Sequence, residues 1–92
     1  MPRARLMTVA QEDLQALEPE FRQHAVDAIR YLETHPGEGY VVSRMQYEAD
    51  PELPRPCTCY ERKTGTGFRL FVYFEVEGGE LKVYQIRRVA MM

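Results

Sequence analysis

No run of eighteen apolar residues occurs in these 92 residues, so no transmembrane helix is expected. Arg3 and Arg5 are not followed by an apolar stretch, so no secretory leader is expected either. Cysteine is scarce. Two thiols cannot build a disulfide framework, which fits a reducing compartment and makes the cytoplasm the expected location. Histidine is equally scarce. A metal site at Cys57-x-Cys59 would need two more soft ligands, and only His24 and His35 are present, both in the predicted helical half. No metal or cofactor is expected, and the two cysteines read as buried structural thiols. A phosphate-binding glycine loop and a nucleophile–base pair are also missing; Gly65-x-Gly67 is too short to cradle a phosphate. No repeat or low-complexity segment is present, and 92 residues leave no room for two cores, so residues 1–92 read as one domain.

What is there belongs to a soluble globular protein: 45% hydrophobic and 28% charged residues. The net charge of −2 is unevenly spread. Residues 1–52 carry 5 basic against 10 acidic groups, whereas residues 53–92 carry 7 against 4. The acidic half is the predicted helical part and the basic half the predicted sheet. A weakly basic sheet face is compatible with nucleic acid, but this is far from the charge of a strongly basic nucleic-acid binder. A core this small is marginally stable alone, which leaves room for a stabilising partner.

The richest stretch runs from Gly67 to Val89. Its Val, Phe, Tyr, Ile and Leu suit two pleated strands, and Gly78-Gly79 suits a two-residue type I′ turn with positive φ at both positions. That turn sets a register in which Glu77 faces Glu80, Phe74 faces Val83, Tyr73 faces Tyr84, Phe71 faces Ile86 and Arg69 faces Arg88. Phe68, Leu70, Val72, Phe74 and Val76 with Leu81, Val83, Gln85, Arg87 and Val89 then form the core side. Arg69, Phe71, Tyr73, Glu75, Lys82, Tyr84, Ile86 and Arg88 form the open side. Two guanidiniums facing each other repel unless an anion sits between them, or unless they splay into water or pair with carboxylates elsewhere in the chain.

Upstream, Arg3–Val9 reads as a short strand, and Thr8 with Gln11 has capping-box spacing. A helix is expected from about Val9 to Glu18, with Glu12 and Asp13 in its first turn. Pro19 opens a second helix that ends near Thr34. Its apolar stripe is Phe21, Ala25, Ala28, Ile29 and Leu32. His35-Pro36-Gly37 stops it. Tyr40–Tyr47 is a weak strand, Glu48–Pro56 a proline-rich extended loop, and Cys57–Lys63 another strand. With its thiols inward, that strand would add Thr58, Tyr60 and Arg62 to the open face. An aromatic-and-arginine surface of this kind suits stacked bases and held phosphates, or equally a protein partner.

The segment Ala10–Pro36, with Leu14, Leu17, Phe21, Ile29 and Leu32 at helical spacing, resembles the helical hairpin of the RelE/ParE toxin superfamily. Gly67-Phe68-Arg69-Leu70-Phe71-Val72-Tyr73 and the later Val83-Tyr-Gln-Ile-Arg87-Arg88 resemble that family's G-[FY]-R-x-x-[FY] strand and its arginine-bearing strand. The resemblance implies an α+β fold, with a helical hairpin packed on one face of a twisted, mainly antiparallel sheet of about four strands. It implies the cytoplasmic toxin of a toxin–antitoxin pair, partnered by a cognate antitoxin. In the RelE-like branch the activity is ribosome-dependent endonucleolytic cleavage of mRNA. The alternatives are a ParE-like inhibitor of DNA gyrase and a catalytically inactive antitoxin-binding member. On the first reading, Arg69 and Arg88 stabilise charge on the scissile phosphate, with Arg87 replacing Arg88 if the register slips by one. Arg62 lies near the family's basic strand position, and Tyr60 or Tyr73 orients a base. The proton acceptor is unassigned: Glu61 is expected to point inward.

Overall fold

The structure, a computed structural model, describes residues 2–42, 57–65 and 67–90. Seven elements follow in order: β1 (Arg3–Leu6), α1 (Thr8–Ala16), α2 (Pro19–Thr34), β2 (Tyr40–Val42), β3 (Cys57–Lys63), β4 (Phe68–Glu77) and β5 (Glu80–Ala90). The strands form one sheet in the order β1-β5-β4-β3-β2. The α+β expectation holds, with five strands in place of about four and a mixed sheet, because β1 pairs with β5 in parallel. Residues 43–47 of the expected Tyr40–Tyr47 strand and the whole proline-rich loop lie outside the described residues.

The helical hairpin sits where the apolar stripes place it. Phe21, Ala25, Ala28, Ile29 and Leu32 of α2 are buried, and all but Phe21 join Ala10 of α1 in the core cluster with Leu70, Val72, Phe74, Leu81, Val83 and Ile86 of the sheet. Burying aliphatic side chains on this scale is the main source of stability in so small a domain. Pro19 opens α2 at the position where its missing N–H costs nothing. Arg22 ties the hairpin together by donating to the carbonyls of Leu14, Gln15 and Leu17 at 3.2, 3.2 and 2.9 Å. These carbonyls lie at and just beyond the C-terminal end of α1, where helical carbonyls run out of i+4 partners; that of Leu14 also accepts the Leu17 N–H at 3.3 Å.

The start of α1 differs from expectation. Its N-cap is Met7, with no side-chain cap, so the Thr8–Gln11 capping box does not form. Gln11 instead donates to the Leu6 carbonyl at 2.8 Å. Because the helix begins at Thr8, Glu12 and Asp13 fall beyond its first turn. Asp13 takes another role: its Oδ2 accepts the Ile86 N–H at 3.0 Å, covering the edge of β5 that the short β1 leaves uncovered. Glu33 of α2 similarly accepts the Ala4 N–H of β1 at 2.7 Å.

The β4–β5 hairpin turns at Gly78 (φ 58°) and Gly79 (φ 78°), as a type I′ turn requires. Near the turn, Glu77↔Glu80, Val76↔Leu81, Glu75↔Lys82 and Phe74↔Val83 pair as expected. The register then shifts. Tyr73 pairs with Gln85, Val72 with Ile86, Phe71 with Arg87, Leu70 with Arg88 and Arg69 with Val89, which leaves Tyr84 as the extra residue of a β-bulge. A one-residue slip moves every later side chain to the other face. The exchange puts Ile86 into the helix-side core in place of Gln85, and the Tyr84 hydroxyl donates to Glu75 at 3.0 Å.

Candidate functional site

The bulge decides which arginines meet. Arg69 and Arg88 do not face each other: Arg69 is on the outer face, and Arg88 is opposite Leu70 on the helix side. There the Arg88 guanidinium lies 5.0 Å from the Phe21 ring and 4.9 Å from the Phe68 ring, with Glu18 at 3.6 Å. Phe21 and Phe68 meet edge to face at 5.3 Å. The chain's later sheet arginine is held as a clasp between the start of α2 and the start of β4.

Arg87 takes the outer face instead, paired with Phe71 and diagonal to Arg69, whose own partner is Val89. Same-face diagonal neighbours lie roughly 7–8 Å apart, within reach of long side chains. On the other flank Arg69 faces Lys63 directly. Two residues earlier on the same face of β3, Glu61 forms an ion pair with Arg69, each side chain 29% exposed. Lys63, Arg69 and Arg87 thus share the outer face at one end of the sheet, with Glu61 paired to Arg69. Thr64 steadies that end by donating from Oγ1 to the Phe68 carbonyl at 2.9 Å. Guanidinium and ammonium groups gathered on one face suit an anion such as a phosphate.

The remaining expected site residues divide. Tyr73 lies on the outer face but is 1% exposed, in a second buried cluster with Cys57, Cys59 and Phe71. The outer face is thus not open at its centre. Tyr60 and Arg62 are not on it at all: they pair with Val72 and Leu70 on the helix side. The expectation failed because the thiols do point into an apolar cluster, but into the outer one. With Cys57 and Cys59 outward, Glu61 and Lys63 follow them by strict alternation. That alternation of Cys, Cys, Glu and Lys was the signal available for Glu61 and Lys63, both of which sequence reasoning missed. Burial raises the Cys59 thiol to about 11, against an opposing hydrogen bond with Tyr40. Such a thiol is protonated and poorly nucleophilic near neutrality.

Among the described residues, no group of three or more His, Cys, Asp or Glu side chains could hold a metal ion, and no helix is long and apolar enough to cross a membrane. No protein-family model and no curated protein matches the chain. Two solved structures share the fold. The isolated E. coli RelE toxin superposes with a TM-score of 0.65 at 12% identity, covering 100% of this chain and 88% of RelE. A chain of the intact E. coli RelBE toxin–antitoxin complex gives 0.58 at 13% identity, covering 100% and 98%. The fold of this chain is therefore that of RelE.

Proposed function

We propose that this chain is the toxin of a toxin–antitoxin pair and cuts mRNA on the ribosome, using the outer-face cluster as its phosphate site. The observation that carries the proposal is the meeting of Lys63, Arg69 and Arg87 beside Glu61 on one face of a RelE-type sheet. Arg87 replaces Arg88 as the second phosphate ligand. Arg69 exchanges its bond to Glu61 for the scissile phosphate, where its planar fork matches two phosphate oxygens.

Freed from Arg69, Glu61 accepts the proton of the ribose 2′-hydroxyl as that oxygen attacks the adjacent phosphorus. The P–O5′ bond breaks, and the leaving 5′-oxygen takes a proton from the Lys63 ammonium. The products are a 2′,3′-cyclic phosphate and a 5′-hydroxyl. Arg69 and Arg87 stabilise the charge that builds on the phosphate oxygens. The partner in the resting cell is a cognate antitoxin that covers this face.

Controlled expression tests the reading. Growth should stop, with messages cut and new 5′-hydroxyl ends mapped within codons, and Arg69→Ala and Glu61→Gln should each restore intact messages. Growth arrest with a DNA-damage response and uncut messages would indicate a gyrase-directed toxin and overturn the proposal. No effect on growth would indicate an inactive member of the fold and overturn it as well.

A further inference from the structure

On the opposite face of β3 from the phosphate cluster, three rings form a column. The Tyr31 ring of α2 is stacked on His35 at 4.2 Å and 12°. Tyr60 of β3 is stacked on the same Tyr31 ring at 5.7 Å and 28°. Tyr60 packs against the helix-side core, and His35 at the far end is exposed. The column is braced before any ligand arrives. The Tyr31 hydroxyl donates to Glu38 Oε1 at 3.4 Å. His35 Nδ1 sits 2.8 Å from Thr34 Oγ1 and 3.2 Å from the Tyr31 carbonyl. An exposed imidazole held flat at the end of a ring stack is a prepared surface for another ring, because its orientation is fixed in advance.

The path from this column to the phosphate cluster is short along the chain. Tyr60 and Arg62 share the helix side of β3, and Glu61 and exposed Lys63 share the outer side. β2 pairs only with Cys57, Thr58 and Cys59, so among the described residues no strand flanks Tyr60–Lys63 on that side. Arg62 Nε is buried there without a hydrogen-bond partner among the described residues. We propose that the His35–Tyr31–Tyr60 column is a stacking platform for an unpaired nucleobase of single-stranded RNA whose backbone crosses the β3 edge to the Lys63–Arg69–Arg87 cluster. Every base has a π-face, so the platform adds affinity without demanding a sequence. The inference rests on the RNA reading above and adds a second contact to it.

Short single-stranded RNA carrying 2-aminopurine, titrated into the full chain, tests it. Wild type should quench the fluorophore saturably, and an RNA abasic at that position should bind about tenfold more weakly. His35→Ala and Tyr31→Leu should weaken binding by the same factor of about ten, and His35→Phe, which keeps a ring, should restore it. Circular dichroism shows whether each variant is folded. Because Tyr31→Leu removes packing as well, the decisive comparison is His35→Ala against His35→Phe. Affinities within about twofold of wild type for His35→Ala, or no quenching by wild type, would overturn the platform. Binding is read without cleavage. Quenching by a protein that cuts no message would therefore overturn the nuclease reading while supporting the platform.

Discussion

Replacing Arg88 by alanine should cost stability and spare chemistry. The guanidinium lies 5.0 and 4.9 Å from the Phe21 and Phe68 ring centres. Each cation–π contact at a partly exposed position contributes about 0.5–1 kcal/mol. The Glu18 partner is 69% exposed and adds at most a few tenths of a kcal/mol once screening is allowed for. The alkyl stem also covers apolar surface, so the total is about 1–2 kcal/mol. A domain of this size loses about 4–8 °C of Tm per kcal/mol. Urea and thermal unfolding of Arg88→Ala, with Arg88→Lys as a control that keeps the charge but not the flat stacking, would measure the loss. Arg88→Lys should fall between wild type and alanine. An Arg88→Ala unfolding curve that superimposes on wild type, with message cleavage abolished, would refute the clasp and return Arg88 to the phosphate.

Other perturbations probe different parts of the fold. Gly39 has φ 101°, and a Cβ there would meet the Cys59 carbonyl oxygen at 2.6 Å, so Gly39→Ala should destabilise by at least about 2 kcal/mol in urea titration. Asp13→Ala removes the acceptor of the part-buried Ile86 N–H and should cost about 1–3 kcal/mol; amide exchange at Ile86 should rise with it. Tyr84 is held at about 12, first by desolvation and then by its bond to Glu75. Its folded value exceeds the ordinary 10.0, so its contribution is intact below pH 10.0 and is lost as pH climbs towards about 12. Stability measured across that window should fall less steeply in Tyr84→Phe.

Much of the architecture could be read from residue order. The α2 stripe, the proline start and the glycine turn each follow from a local rule that tertiary packing does not override. The bulge at Tyr84 was not legible. Turn geometry fixes the pairs next to Gly78-Gly79, but a slip farther along is decided by the exchange of Ile86 for Gln85 in the core, which is a tertiary choice. That single residue determines whether Arg87 or Arg88 meets Arg69. The second apolar cluster was hidden for a related reason. Two cysteines on a strand announce burial but not which face is buried, so the expectation of Glu61 inward and Tyr60 and Arg62 outward is reversed in the structure. The β1 pairing was only half visible, because four residues of weak alternation do not reveal that they run parallel to the last strand.

Cleavage of a message on purified ribosomes by Arg87→Ala and Arg88→Ala, each compared with wild type at equal folded protein, tests the proposed phosphate site directly. Loss of one charge-stabilising donor should slow Arg87→Ala by about 100-fold or more, while folded Arg88→Ala cuts at close to the wild-type rate. An Arg87→Ala protein that cuts normally beside an inert but folded Arg88→Ala would contradict the assignment of the outer face as the catalytic surface.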